Sequence, residues 1–507
     1  MSASRVEQLT SWRSDWSGLR VAVLGLGVTG FSVADTLVEL GSDVLVLASS
    51  AKPEQKQLLE VIGAGYVERD LKTVPDELIE FDPELVIVSP GFHPDHPILS
   101  WAELAAVPIW GDIELAWRVR DKVMPPAEWI LVTGTNGKTT TSQLATHLLE
   151  QDGRRAAAVG NIGIPVLDAV RYPAGFDVLV VELSSYQLHW LARTPNGTLS
   201  PWASVCLNLA DDHLDWHGSA QAYRDAKAKV YTNTRVAAVY NKADVATRIM
   251  VEDAEVIEGC RAIGFGLDAP GPSDLGIVDG ILCDRAFLEE RATTALELST
   301  RDELIAVGLG APHSVANVLA ACALVRSLDV PPAVIREGLR TFTLDHHRTE
   351  VVARSGDVVW IDDSKATNPH AAAAALRAHD SVVWIVGGLL KGVDVDELVR
   401  IHVDRLTAAI LIGADRSELL AAFERHAPGL PLFEVETEET DDVMPMAVKL
   451  SAAVARPGDV VLLAPAAASM DQFTDYADRG TRFADAVRSL LEGIADDDDQ
   501  GTAGRNA

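Results

Sequence analysis

The sequence contains few cysteines and no long apolar run, and these absences limit what the chain can be. Its four cysteines, among 507 residues, show no CxxC spacing and lie mostly in apolar stretches. We therefore expect Cys206, Cys260, Cys283 and Cys322 to be free, buried thiols in a reducing compartment. Residues 1–16 are polar, so we expect no secretory signal. No run of about 20 apolar residues is present to span a bilayer. These features predict a cytoplasmic protein.

Basic residues are also scarce relative to acidic ones. The chain has 43 lysines and arginines against 74 aspartates and glutamates, a formal net charge of −31. A negative field repels nucleic acid and anionic membranes, so we expect neither as a partner. Part of the excess, Asp496–Asp499, lies in a tail over residues 493–507 that we expect to be disordered. The composition is otherwise ordinary for a protein with buried cores, and the length allows about three domains.

Short apolar runs alternate with helical patterns along the chain. The predicted strands cover residues 21–24, 44–47, 85–88, 130–132, 178–181, 205–209, 236–240, 358–361, 382–386, 409–412 and 460–463. Helices are predicted over 29–40 and 138–151, and residues 250–306 are irregular enough to predict a small β excursion. A second series of alternating strands and helices begins after Pro125-Pro126, and a third begins near His347. This rhythm is typical of βαβ units, so we predict an α/β fold of three modules with parallel sheets.

The first glycine-rich turn, Gly25 to Gly30, has the spacing GxGxxG between a predicted strand and a predicted helix. Backbone N–H groups at such a helix start bind phosphate or pyrophosphate. A dinucleotide site also requires an acid at the end of the second strand, where this chain has Ala48. This favours a nucleotide diphosphate held by backbone donors over NAD(P). A purely structural turn remains the alternative.

The second glycine-rich turn reads TGTNGKTT over residues 133–140, again between a strand and a helix. Val132 stands where the strict GxxxxGK[ST] pattern has its first glycine. The working groups remain, because Lys138 can reach β- and γ-phosphate oxygens and the Thr139 hydroxyl can bind Mg²⁺. The turn therefore predicts an ATP site. Its members are Gly134, Thr135, Asn136, Gly137, Lys138, Thr139 and Thr140.

Polar residues follow two further predicted strands. Glu182 ends the run 178–181, and after a phosphate loop such an acid is well placed to bind Mg²⁺. Taken alone, it would be a solvated edge residue. His213 follows the next strand and alone would be a satisfied polar residue as often as a ligand. Because these strand ends belong to one predicted sheet, we predict a metal and substrate cluster.

Taken in order, these motifs resemble the Mur ligases. The matching stretches are GTNGKTT at 134–140, GNIG at 160–163, ELSSYQL at 182–188, LNLADDHLDWHG at 207–218 and YRDAK at 223–227. In the C-terminal third, HRTE at 347–350, DDSKATN at 362–368 and SMDQF at 469–473 resemble the members that add D-glutamate. The similarity runs from about residue 25 to residue 483, nearly the whole chain.

The resemblance implies an ATP-dependent ligase of peptidoglycan precursor synthesis with three domains. It would join D-glutamate to UDP-N-acetylmuramoyl-L-alanine through an acyl phosphate. The implied domains are a Rossmann-like UDP-binding domain over 1–112, a P-loop ATPase-type α/β domain over 113–344 and a Rossmann-like domain for the amino acid over 345–492. The partners would be these small molecules, and we expect a monomer.

The resemblance also implies a role for individual residues. The UDP substrate would contact Gly27, Val28, Thr29, Ser89, Pro90, Gly91, Asn161 and His213. Besides the phosphate loop, ATP would contact Asn317, Arg348 and Asp363. D-glutamate would contact Lys365, Thr367, Lys391, Ser469 and the backbone of Met470. Lys138 and Arg348 would neutralise charge during phosphoryl transfer.

Two Mg²⁺ ions are implied as well, with Thr139, Glu182, His213 and Lys227 as the metal residues. Lys227 matches the lysine that is carbamylated in the family. CO₂ would convert an ammonium that repels Mg²⁺ into a carbamate that binds it. From the residues alone, Lys227 would instead be a helix-surface lysine.

Four residues depart from the family pattern. Ala48 replaces an acid near the uracil or ribose, Ser314 replaces an asparagine near ATP, and Leu389-Leu390 replace small polar residues before Lys391. The alternatives are another ligase of the superfamily, a nicotinamide dehydrogenase, and a non-catalytic ATP-gated binding module. The DSKATN stretch disfavours the first, Ala48 the second, and the predicted metal cluster the third.

Overall fold

Three β-sheets flanked by helices organise the protein in this computed structural model. The structure describes residues 5–191, 199–344, 346–437 and 439–503, with side chains described up to residue 492. The chain divides into two compact units. The first contains Met1–Leu209 and Gln221–Phe342, and the second contains Ala210–Ala220 and Thr343–Ala507.

The first sheet has five parallel strands in the order β3-β2-β1-β4-β5. Its strands are β1 Arg20–Leu24, β2 Asp43–Ala48, β3 Gly65–Glu68, β4 Leu85–Val88 and β5 Ile109–Gly111. The accompanying helices are α1 Val28–Glu39, α2 Pro53–Ile62, α3 Asp76–Phe81 and α4 Pro97–Leu104. The near-continuous apolar runs of β1 and β4 are buried on both faces, as in doubly wound sheets. From β1 the chain adds β2 and β3 on one side of the sheet and then β4 and β5 on the other. Doubly wound folds bind ligands at this reversal point, beside the carboxyl ends of β1 and β4.

The second sheet has nine strands in the order β14-β13-β12-β11-β10-β9-β6-β8-β7. They are β6 Glu128–Thr133, β7 Ala156–Gly160, β8 Val178–Glu182, β9 Ala203–Cys206, β10 Ala237–Asn241, β11 Arg261–Phe265, β12 Asp274–Val278, β13 Ile281–Asp284 and β14 Leu296–Thr300. Strands β6 to β12 pair in parallel, and β12, β13 and β14 pair antiparallel. These last strands are the β excursion that the sequence predicted.

The helices around this sheet are α5 Asp112–Arg118, α6 Lys138–Gln151, α7 Val166–Arg171, α8 Ser185–His189, α10 Ala220–Ala228, α11 Val245–Glu252, α12 Arg301–Ala306, α13 Pro312–Arg326 and α14 Pro332–Thr341. Helix α9, Leu214–His217, lies in the second unit. Short 3₁₀ helices cover Val6–Gln8, Arg120–Lys122, Lys229–Tyr231 and Val403–Arg405. Helix α13 is apolar on nearly every face and accordingly buried.

The third sheet has the order β15-β16-β20-β17-β18-β19, parallel except for the β15–β16 pair. Its strands are β15 Glu350–Ser355, β16 Val358–Asp362, β17 Val382–Gly387, β18 Leu406–Ile412, β19 Leu432–Glu434 and β20 Val460–Leu463. The helices are α15 Pro369–Arg377, α16 Asp396–His402, α17 Ser417–His426, α18 Thr440–Val454 and α19 Tyr476–Ala503. Helical backbone therefore extends past residue 493, where the sequence suggested a disordered tail, and residues 504–507 lie outside the described part.

The predicted three-module α/β architecture is confirmed, and most strands lie within two residues of their predicted positions. Two strands differ by three residues at one end, since β18 begins at Leu406 and not at residue 409, and β9 ends at Cys206 and not at residue 209. Beyond it the chain turns toward the phosphate loop, and the side chain of Asn208 bonds the backbone of Asn136 instead of continuing the sheet. Cys206, Cys283 and Cys322 are buried and Cys260 is half-buried, and all four are free thiols. Among the described helices, none has both the length and the apolar character needed to cross a membrane.

Candidate functional site

The turn after β1 forms a glycine-lined pocket with the turn after β4. Gly27 caps α1, and a Cβ at Gly30 would overlap the carbonyl oxygen of Gly25, so only glycine fits there. The cavity measures about 500 Å³. It is lined by Gly25, Gly27, Val28, Thr29, Gly30, Ser89, Pro90, Gly91, Phe92, His93 and His96. All six UDP-site residues predicted from these two turns therefore line one cavity at the reversal point of the sheet. Ala48 ends β2 without supplying a carboxylate.

The phosphate loop connects β6 to α6, which begins at Lys138. Gly137 has a φ of 83°, and a Cβ there would overlap the carboxamide of Asn317 on α13. Asn317 thus lies directly against the loop, and its contact with ATP stays a prediction. Ser314 lies one turn earlier on the same helix and is buried. The Lys138 Nζ donates to the carbonyl oxygens of Gly134 and Thr135, both at 2.9 Å.

Glu182 is buried at the end of β8, next to the strand that leads into the phosphate loop. Its side chain is 1% exposed. The Asn161 Nδ2 donates to Oε1 at 2.9 Å, whereas Oε2 has no hydrogen-bond partner among the described residues. A buried carboxylate oxygen without a partner is costly, and a divalent cation would satisfy it. The interpretation of Glu182 as a solvated edge residue is wrong, and its donor chemistry fits Mg²⁺.

Lys227 is also buried, on the face of α10 that packs inward. It is 2% exposed, and its Nζ donates to the carbonyl oxygen of Gly134 at 2.8 Å and to Thr133 Oγ1 at 3.4 Å. Tyr223, one turn earlier, lies with its hydroxyl 2.9 Å from Thr135 Oγ1. The interpretation of Lys227 as a helix-surface lysine is therefore wrong.

His213 belongs to the second compact unit, whereas Glu182 and Lys227 belong to the first. It adopts a positive φ of 54° and precedes α9. Its backbone N–H donates to Asp212 Oδ1 at 2.9 Å, and its Nε2 lies 3.5 Å from Asp212 Oδ2. Its participation in a metal cluster with Glu182 and Lys227 stays a prediction.

In the second unit, two adjacent acids end β16. Asp362 is fully buried, and its Oδ2 lies 2.6 Å from Nδ1 of His347. The Oδ1 of Asp363 accepts a hydrogen bond of 3.1 Å from the Thr349 backbone N–H, beside Arg348. Burial raises the pKa of Asp363 to about 7. The segment that contains Arg348 is thus hydrogen-bonded to Asp363 at the end of β16, and both residues are predicted to contact ATP.

The residues predicted to bind D-glutamate lie on three loops at the carboxyl ends of β16, β17 and β20. The backbones of Leu389 and Ala468 exchange hydrogen bonds of 2.9 and 3.0 Å, which joins the Lys391 loop to the Ser469 loop. Lys365 lies with its Nζ 3.6 Å from the centre of the Tyr476 ring. The structure therefore brings the loops together at one edge of the sheet. Thr367 lies on the Lys365 loop, and Met470 is largely exposed beside Ser469.

Arg479 is a residue that sequence reasoning left without a role. It is fully buried and donates to Ser364 Oγ at 2.9 Å, the Ser364 carbonyl oxygen at 2.8 Å and the Ala467 carbonyl oxygen at 3.2 Å. Burial lowers its pKa to about 10. The side chains of Asp471 and Gln472 likewise accept hydrogen bonds from the backbone N–H groups of Ala414 and Gly413. The sequence signal for this bonded loop was the SMDQF motif, whose polar side chains Asp471 and Gln472 hold the loop in place.

Comparison with protein families matches three consecutive parts of the chain. Residues 19–111 match a Mur ligase MurD-like N-terminal domain, residues 132–325 the Mur ligase middle domain, and residues 347–467 the Mur ligase glutamate ligase domain. The family models together cover most of the chain, each over one of the three sheets.

Individual proteins are similar over almost their full length. A UDP-N-acetylmuramoylalanine–D-glutamate ligase of Leifsonia xyli subsp. xyli is 63% identical over 503 residues, which covers 98% of this chain and 97% of that protein. A protein of the same name from Tropheryma whipplei is 47% identical, with 96% and 99% covered. Among solved structures, a UDP-N-acetylmuramate-alanine ligase from Thermotoga maritima aligns with a TM-score of 0.53 at 21% identity, covering 93% of this chain and 99% of that one. This last likeness concerns the fold alone.

Proposed function

Because the chain belongs to the Mur ligase family, we propose that it joins D-glutamate to UDP-N-acetylmuramoyl-L-alanine with hydrolysis of ATP to ADP and phosphate. The near full-length identity to relatives of that name supports the choice of substrates. The observation that carries the chemistry is the arrangement around Gly134. Lys227 reaches the loop carbonyl there, and Glu182 presents an unsatisfied carboxylate oxygen on the neighbouring strand.

The UDP group would occupy the pocket between the turns after β1 and β4. The N–H groups at the start of α1 suit the pyrophosphate, and the pocket volume is ample for part of a nucleotide. Asn161 would contact the muramoyl-alanine end, since it follows β7 and lies against Glu182. The same proposal assigns ATP to the phosphate loop with Asn317, Arg348 and Asp363.

The first step would transfer the γ-phosphoryl group of ATP to the alanine carboxylate. A carboxylate oxygen forms a bond to phosphorus as the bond to ADP breaks, which gives an acyl phosphate. Two anions must approach each other, so Lys138 and Arg348 would neutralise charge on the phosphates. Mg²⁺, which Mur ligases typically use, would supply further charge neutralisation, with Thr139, Glu182, His213 and carbamylated Lys227 as the proposed residues of two sites.

The second step would form the amide bond. The amine of D-glutamate attacks the acyl carbon, a tetrahedral intermediate forms, and inorganic phosphate leaves with the former carboxylate oxygen. Lys365, Thr367, Lys391, Ser469 and the Met470 backbone would hold the two carboxylates of D-glutamate. These loops converge at one edge of the third sheet, and cations and hydroxyls suit carboxylate oxygens.

We also propose domain boundaries of 1–112, 113–344 and 345–492. The first sheet ends at Gly111, the second begins at Glu128 and the third begins at Glu350. The two proposed boundaries, at residues 112/113 and 344/345, therefore fall between consecutive sheets.

The deciding experiment measures phosphate release from ATP with UDP-N-acetylmuramoyl-L-alanine and one amino acid at a time. D-glutamate should support turnover, whereas L-glutamate, L-alanine and L-lysine should not. Leaving out the UDP substrate should abolish phosphate release, which controls for simple ATP hydrolysis. Equal turnover with L-glutamate, or turnover without the UDP substrate, would contradict the proposal.

A further inference from the structure

One polar face of α1 contacts α7 of the central domain. Ser32, Asp35, Thr36 and Glu39 are spaced i, i+3, i+4 and i+7, so they share one side of the helix. The hydroxyl of Ser32, itself buried, donates to Asp168 Oδ1 at 2.5 Å. This bond joins the first sheet's opening helix to a helix of the second sheet.

Arg171 makes the larger part of the same contact. Its guanidinium lies 2.6 Å from Asp35 Oδ2 and 2.8 Å from Glu39 Oε2, and it donates to Thr36 Oγ1 at 3.2 Å. Lys122 pairs with Glu39 as well. Burial alone would raise the pKa of Glu39, but hydrogen bonds from Lys122 and Arg171 outweigh it and hold that pKa below its usual value. A forked cation shared by two carboxylates is geometrically specific, unlike an isolated surface pair.

The two joined helices carry opposite ends of the proposed substrate site. Helix α1 begins in the turn at Gly27, where the pyrophosphate would bind. Helix α7 follows the loop over residues 160–163, which places Asn161 against Glu182. The spacing between the nucleotide turn and the reacting carboxylate is thus set through the contact of α1 with α7.

We propose that Ser32, Asp168 and Arg171 are positioning residues that let the bound UDP group orient the muramoyl-alanine carboxylate for phosphoryl transfer. The inference rests on the proposed function and adds residues that touch no substrate. Binding energy from a remote part of a substrate raises kcat only when it is transmitted rigidly to the reacting centre. A misplacement of about 1 Å can lower a rate about 100-fold. Loosening this contact should therefore leave UDP binding intact and reduce kcat.

The test compares Arg171→Gln with Arg336→Gln as a matched control. Arg336 also bridges two carboxylates, those of Glu297 and Glu303, but at the far edge of the central sheet. UDP binding is measured by calorimetry, and kcat by phosphate release with UDP-N-acetylmuramoyl-L-alanine. For Arg171→Gln we expect an unchanged Kd for UDP and a kcat lowered about tenfold or more. For Arg336→Gln we expect both values to match the wild type.

Ser32→Ala provides a milder second variant if Arg171→Gln does not fold, and it should lower kcat less but in the same direction. The inference is overturned if these variants keep the wild-type kcat, or if UDP binding weakens in proportion to kcat, which indicates a merely structural contact. Failure of the proposed function looks different, because the wild-type protein itself would then bind UDP without turning over the UDP substrate.

Discussion

The side-chain nitrogen of Lys227 lies 2.8 Å from the carbonyl oxygen of Gly134, although the two residues are 93 positions apart in the chain. Helix α10 therefore delivers a buried amine directly to the phosphate loop. In the proposed mechanism this amine would carry a carbamate and would help to hold Mg²⁺. Its burial gives that role a structural basis that the local sequence lacks.

Replacing Lys227 by alanine should cut phosphate release about 100-fold or more, because the proposed carbamate ligand would be lost. ATP binding, measured by calorimetry, should persist in part. Acetate or formate should restore some activity by occupying the vacated space. Lys227→Arg should resist this rescue, since its side chain fills the space with a permanent cation. Full activity of Lys227→Ala in CO₂-depleted buffer would show that no carbamate is needed.

Replacing Lys138 by alanine should reduce kcat about 100- to 1000-fold while the protein still folds. Its charge would act on the β- and γ-phosphate oxygens mainly in the transition state. Steady-state phosphate release measures the effect, and circular dichroism checks the fold. Lys449→Ala, an exposed lysine on α18, is the control and should keep the wild-type kcat. A Lys138→Ala enzyme with wild-type kcat would place ATP elsewhere.

Gly30→Ala should destabilise the protein by about 3 kcal/mol, because the added Cβ would overlap the carbonyl oxygen of Gly25. Gly27→Ala is the matched comparison in the same turn. Its φ is −81°, and apart from its chain neighbours no described residue has an atom within 4 Å of a Cβ placed there. Its cost should stay below about 1 kcal/mol. Urea unfolding of the two variants measures the difference, and equal losses would mean that the close approach at Gly30 is not maintained in solution.

Asp112→Asn should make stability less dependent on pH. Burial raises the pKa of Asp112 to about 6, although a hydrogen bond from Gln187 opposes the shift. The folded protein thus keeps a proton that the unfolded chain loses near pH 4, so this carboxyl lowers the free energy of unfolding as pH rises from about 4 to about 6. The loss is on the order of 3 kcal/mol. We expect urea unfolding to show that the free energy of unfolding of the variant, relative to that of the wild type, is higher at pH 8 than at pH 4. An identical difference at both pH values would contradict this assignment.

Local sequence patterns predicted the positions of helices and strands better than they predicted which distant side chains contact each other. Helix α6 and strands β4 and β20 lie at their predicted residues, because apolar periodicity and the flanking turns determine them locally. The bonds of Arg479 to Ser364 span 115 positions, and no local pattern encodes such a pairing. From the residues alone, Lys227 was interpreted as a surface lysine because α10 is mostly polar. The signal was its spacing, since Tyr223, Ala226 and Lys227 share one buried face.

The sequence indicated that the proposed metal and substrate residues lie at strand ends, but it did not indicate their contacts. Glu182 follows an apolar strand, which indicated its place, whereas its unsatisfied oxygen depends on how Asn161 returns from β7. The role of Asp112 was also hidden. Its burial arises from the packing of α5 near Gln187, a residue 75 positions away.

The three hydrogen bonds of Arg479 join the two loops around the proposed amino-acid site. Neither the Ser364 turn nor the Ala467 loop can open without leaving a buried guanidinium short of acceptors. Local opening of either loop should therefore have nearly the free energy of opening both. Amide hydrogen exchange in these two segments should therefore slow and quicken together, and the proposed amino-acid site should open and close as one unit.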